Sequence, residues 1–99
     1  MRSKEEYLAE AKAHLNEWEA ELKELRQKAG DASDDVKGKV EQQIAELKAK
    51  WEEGAAHRQE ILDAADDKWD HIKDEAEEKW SQVKAGARER IDRIKALFS

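Results

Sequence analysis

Apolar residues enter this chain at alternating steps of three and four: Leu8, Ala11, Leu15, Trp18, Leu22, Leu25, Ala29. That heptad rhythm belongs to a helix with one apolar seam of the coiled-coil type. It predicts a first helix over about residues 3–29. Gly30 stands where a helix-terminating C′ residue belongs. Asp31-Ala32-Ser33-Asp34-Asp35 follows. Ser33 or Asp31 can cap a new helix, whose positive end suits Asp34 and Asp35. Residues 30–33 are therefore read as a turn.

Beyond the turn the apolar line resumes as Val36, Val40, Ile44, Leu47, Trp51, Ala55, Arg58, Leu62, Ala65, Trp69, Ile72, Ala76, Trp80, Val83, Ala87, Ile91, Ile94, Phe98. Its steps are three or four throughout. The phase predicts one helix over about residues 34–98, ~97 Å long at 1.5 Å per residue. The line thins at Gly54-Ala55-Ala56-His57-Arg58. A bend near 54–63, or Asp63 serving as a new N-cap, would let residues 64–98 fold back. The expected fold is all-α: an antiparallel helical hairpin with a long second helix. The alternative is an elongated three-helix bundle. Either would use coiled-coil packing in a single domain, 1–99.

Residues 64–96 hold an eleven-residue repeat: AADDKWDHIKD, EAEEKWSQVKA, GARERIDRIKA. Three columns stay apolar, Ala65/Ala76/Ala87, Trp69/Trp80/Ile91 and Ile72/Val83/Ile94. Eleven residues make three turns at about 3.67 per turn, so the columns form one nearly straight stripe. With Ile61, Leu62 and Phe98 this stripe is the candidate interaction surface. Leu8, Leu15, Trp18, Leu22, Leu25, Val40, Ile44, Leu47 and Trp51 are the candidate hairpin core. Antiparallel pairing about the turn sums paired numbers to about 63. It sets Trp18 opposite Ala45, Trp51 opposite Lys12 and Ala11, and Leu8 opposite Ala55. Acid-first pairs at i, i+4 support the helices: Glu19/Lys23, Glu24/Lys28, Asp35/Lys39, Glu46/Lys50, Glu75/Lys79, Glu89/Arg93.

Composition narrows the chemistry. Of 99 residues, 44% are charged and 38% apolar, and sixteen are alanine. Only 22 larger apolar side chains remain, which suits a thin core. There is no cysteine or proline, hence no disulfide framework and no thiolate nucleophile. No segment reads as a signal peptide or membrane span, so a cytoplasmic location is expected. The net charge of −6 argues against nucleic-acid binding. Charge is also segregated. Residues 63–78 carry eight acids against Lys68 and Lys73, and residues 79–99 carry six bases against Glu89 and Asp92.

No catalytic, cofactor or metal site is expected. Each histidine has an acid four residues earlier, in Glu10/His14, Glu53/His57 and Asp67/His71. The Glu-x-x-His pattern of ferritin-like di-iron helices is missing. Ser3, Ser33, Ser81 and Ser99 lack a base-plus-acid arrangement. The four tryptophans all lie on the apolar line, where they read as core or interface.

The segment AELKAKWEE and the tandem KWDHIKDEAEEKWSQVK resemble a group of small bacterial coiled-coil proteins, labelled a stress-response family and first noted in cyanobacteria. The Lys-Trp-Asp/Ser-x-Ile/Val-Lys unit at 68–73 and 79–84 carries the likeness. The third unit at 90–95 departs from it, with Ile91 in the tryptophan column. The resemblance spans about residues 4–98 and implies a bacterial cytoplasmic protein of poorly defined role.

The expected function is non-enzymatic. The stripe of an uncovered long helix would recruit a partner, most simply a second copy in an antiparallel homodimer. Acidic and basic blocks would then face each other. A scaffold or protective role under stress fits this. A peripheral lipid-surface protein, binding through the basic 79–99 segment, is the alternative. A protein partner in a larger complex is a third option.

Overall fold

The computed structural model describes residues 3–98, so Ser99 lies outside the described residues. Helix α1 spans Lys4–Gly30. Ser3 caps it, its Oγ accepting from the Glu6 N–H at 3.2 Å, and Glu5 and Glu6 occupy the positive end. Gly30 remains helical, so α1 runs one residue beyond the expected boundary, and the turn is Asp31–Ser33. The Asp31 and Ala32 N–H groups close the helix on Lys28 and Ala29 carbonyls.

Helix α2 spans Asp34–Asp63. Ser33 stands at its N-cap without a side-chain cap bond. Helix α3 spans Trp69–Leu97. Between them Ala64 and Ala65 are extended, with ψ of 143° and 144°, and Asp66–Lys68 form one 3₁₀ turn. The uninterrupted helix expected over 34–98 therefore ends at Asp63. Asp63 does not act as an N-cap; its Oδ1 accepts from Gln59 Nε2 at 2.9 Å. Gly54 lies within regular helix.

Burial explains the reversal. Going straight would gain about four helical hydrogen bonds, each worth ~0.5–1.5 kcal/mol net. Folding back covers Trp69, Trp80, Val83 and Ile94, each ~1.5–3 kcal/mol, together with Ala76 and Ala87. The second sum is larger, so α3 returns along the molecule. The three helices pack together in a rod with extents of 52 × 18 × 18 Å. α2 packs extensively on both neighbours, while α1 and α3 run parallel and meet more sparsely.

One continuous core joins all three helices. From α1 it takes Tyr7, Leu8, Ala11, Leu15, Trp18, Leu22, Leu25 and Ala29; from α2, Val40, Ile44, Leu47 and Ile61; from α3, the stripe. Gly54 is buried because Val83, Leu15 and Trp80 close over it: a Cβ there would lie 3.2–3.3 Å from all three. The glycine that weakened the apolar line in the sequence is the place where α2 admits the Trp80 indole.

Candidate functional site

The repeat columns on α3 face inward. Trp69, Ala76, Trp80, Val83, Ala87 and Ile94 are buried, and Ile72, Ile91 and Phe98 are half-buried against the same core. Two members of the candidate interaction stripe depart from this. Leu62 is 45% exposed and Ala65 is exposed. In the second half of α2 the buried line is Gly54, His57, Ile61, one residue earlier than the expected Ala55, Arg58, Leu62. The expected phase skipped Gly54 and His57 because neither is a large apolar residue. Ile61 is 5% exposed, as its place in the stripe requires.

Among the candidate hairpin residues, Leu8, Leu15, Trp18, Leu22, Leu25, Val40, Ile44 and Leu47 are buried and Trp51 is half-buried. The Trp51 indole N–H donates to the Leu15 carbonyl at 2.9 Å, reaching past the expected Lys12 and Ala11 level. Arg58 behaves similarly, its Nε donating to the Leu8 carbonyl at 3.1 Å. The side chain is half-buried, and its guanidinium ties α2 to α1.

A polar knot near the elbow joins all three helices. The fully buried Tyr7 hydroxyl of α1 donates to the Ala76 carbonyl of α3 at 3.0 Å and lies 2.8 Å from His57 Nε2 of α2. The same nitrogen is 3.3 Å from the Ala76 carbonyl. Having given its proton to the carbonyl, the phenol oxygen accepts, so His57 Nε2 carries the ring proton in this arrangement. Around the knot, aromatic rings run along the rod. Tyr7 lies 5.2 Å from Trp69 and 6.4 Å from Trp80, and Trp80 lies 5.5 Å from Trp18, centroid to centroid. Sequence reading missed Tyr7, which sits one residue off the α1 seam. It weighed His57 only as a possible ligand beside Glu53.

The other polar groups also hold helices. His14 Nε2 lies 3.5 Å from Glu10 Oε1, while His71 is exposed. Among the described residues no group of three or more His, Cys, Asp or Glu is placed to hold a metal ion. Lys84 pairs with Glu10 at 3.7 Å, Lys95 with Glu21 at 3.6 Å, and Lys4 with Asp66 at 3.1 Å. The charge segregation of the repeats is thus partly met by α1 of the same chain. Of the six expected acid-first pairs, Glu24/Lys28, Glu75/Lys79 and Glu89/Arg93 form, while Lys50 pairs with Glu53 in place of Glu46.

Between α1 and α3 an open groove of about 320 Å³ runs over Trp18 and Ile91, walled by both signs of charge. No described helix is long and apolar enough to cross a membrane. No protein-family profile matches the chain, and comparison with curated proteins and with solved structures finds no significant match. The likeness to the stress-response group rests on the quoted residues alone.

Proposed function

We propose that this chain is a non-enzymatic structural and interaction protein. Its resting form is a three-helix bundle with coiled-coil-type packing, and it self-associates by exchanging helix-on-helix contacts. One observation carries the reading. Tyr7, His57, Trp51 and Arg58 spend their polar groups in hydrogen bonds of 2.8–3.1 Å that hold the helices together. A scaffold or protective role under stress extends this reading through the family resemblance.

Multi-angle light scattering from micromolar to millimolar chain tests the proposal. A dimer fraction rising with concentration supports it, and a strict monomer refutes it. The lipid-surface alternative draws less support. The apolar columns it would use are covered by α1 and α2, so lipid binding would require the rod to open. Flotation with vesicles of phosphatidylcholine, with and without phosphatidylserine, decides that alternative.

A further inference from the structure

The elbow between α2 and α3 differs from the α1–α2 turn, and its chemistry leads to a mode of assembly. We propose that residues 64–68 are a hinge: when it straightens, α2 and α3 fuse into one helix, and two copies of the chain exchange α3. This inference rests on the self-association reading above.

The backbone requirement is small. Every φ near the elbow is negative, and Asp66–Lys68 are already helical in sense. Ala64 at (−70°, 143°) and Ala65 at (−63°, 144°) are the extended pair. Rotating two ψ angles to about −42° completes a continuous helix. The sequence permits it, since Leu62-Asp63-Ala64-Ala65-Asp66-Asp67-Lys68 has neither glycine nor proline and alanine is the best helix former. The stop signal on α2 is weak as well. Its last turn has no cation and ends on Asp63, an acid at the negative end of the dipole.

The apolar pattern also fits the straightened form. Ile61, Ala65 and Trp69 are spaced by four, so the stripe crosses the hinge in phase. In the closed rod Ala65 and Leu62 are exposed beside that hinge. Two straightened helices related by a dyad would cross there, and Leu62 and Ala65 of each copy would face the other. Away from the elbow the exchange recreates the same contacts of α3 with α1 and α2, so it costs little beyond association. The closed form is latched at the elbow by Lys4, whose Nζ donates to the Ala64 carbonyl and to Asp66 Oδ1.

Spin labels on cysteines at exposed Ala49 and Ala85 read the hinge in the full chain. Labelled protein diluted into excess unlabelled protein reports the distance within one chain. Closed, the two positions flank the contact between Lys50 of α2 and Gly86 of α3, on adjacent helices of a rod 18 Å wide. Open, the 36 intervening steps span ~54 Å at 1.5 Å each. We expect the long distance in the dimer fraction and the short one in the monomer.

Ala65→Pro should abolish both the dimer and the long distance. Its φ suits proline, the extended Ala64 is what a residue before proline adopts, and a straight helix through proline is broken. Lys4→Ala should raise the dimer fraction severalfold. A dimer retaining only the short intrachain distance would leave self-association standing and overturn the exchange. So would an undiminished dimer in Ala65→Pro. Strict monomers in both wild type and Lys4→Ala would overturn both. Should Ala65→Pro fail to fold, by far-ultraviolet circular dichroism, the wild-type distances decide alone.

Discussion

Alanine placed at each of three mid-helix glycines should give three different outcomes, because the space above each glycine differs. At Gly38 nothing lies within 4 Å of the added Cβ. Only the helix preference of alanine acts, and stability should rise by about 0.5–1 kcal/mol. At Gly54 the same preference applies, but the Cβ would lie 3.2 Å from Val83 Cγ1 and 3.3 Å from both Leu15 Cδ2 and Trp80 Cζ3. Carbon pairs settle at about 3.5–4.0 Å, so the methyl group is too close on three sides. Those neighbours are 3%, 6% and 1% exposed, so none can swing into solvent. Overpacking of a tight core costs about 1–3 kcal/mol. Set against the helix gain, Gly54→Ala should destabilise by about 0–2 kcal/mol. At Gly86 the contacts are Lys50 Cε at 3.2 Å and Cδ at 3.3 Å. They belong to a flexible stem that can move aside, so Gly86→Ala should stabilise by about 0.5 kcal/mol. Urea unfolding followed by circular dichroism measures all three. For a chain of this size 1 kcal/mol shifts the melting midpoint by about 4–8 °C. If Gly54→Ala stabilises as much as Gly38→Ala, Trp80 does not close over α2 at that point, and the α2–α3 packing is wrong.

Other substitutions test the knot, the phase and the elbow. Tyr7→Phe should cost about 1–3 kcal/mol, because it leaves His57 Nε2 buried without its closest partner; thermal melts check this. Ile61→Ala should cost about 2–4 kcal/mol, while Leu62→Ala should stay within about 1 kcal/mol. Equal costs at the two positions in urea titrations would contradict the structural phase of α2. Trp51→Phe removes the bond to the Leu15 carbonyl and should cost about 0.5–1.5 kcal/mol in the same titration. Ala65→Pro should raise the thermal midpoint of the monomer by the equivalent of about 0.4–1 kcal/mol, since it stiffens a conformation already held. A lowered midpoint would show that Ala65 is not extended.

Local pattern made α1 legible to within one residue. Its seam of leucines has a strict rhythm, and Ser33, one of the two expected caps, stands at the start of α2. The inward columns of the repeat were also legible, since Ala76, Trp80, Val83 and Ala87 share one face whatever covers it. What covers them was not. Residues 62–68 suit a helix, and α2 ends there because distant apolar surface on α1 and α2 is available to α3. A local reading does not register that gain. The phase error at Ala55, Arg58 and Leu62 has a related cause. Gly54 serves by having no side chain and His57 by meeting Tyr7, and both roles depend on residues from other helices.

Two side-chain donors from α2 to backbone carbonyls of α1 bear on errors of alignment. Trp51 and Arg58 are seven residues apart, and so are their acceptors, Leu8 and Leu15. A seam of near-equivalent leucines tolerates a slip of one heptad with little loss of apolar contact. Under a slip toward the N-terminus of α1, Trp51 inherits the Leu8 carbonyl while Arg58 moves past the start of the helix at Lys4. The pair therefore works like the two marks of a vernier. It penalises a misalignment that burial alone would scarcely distinguish.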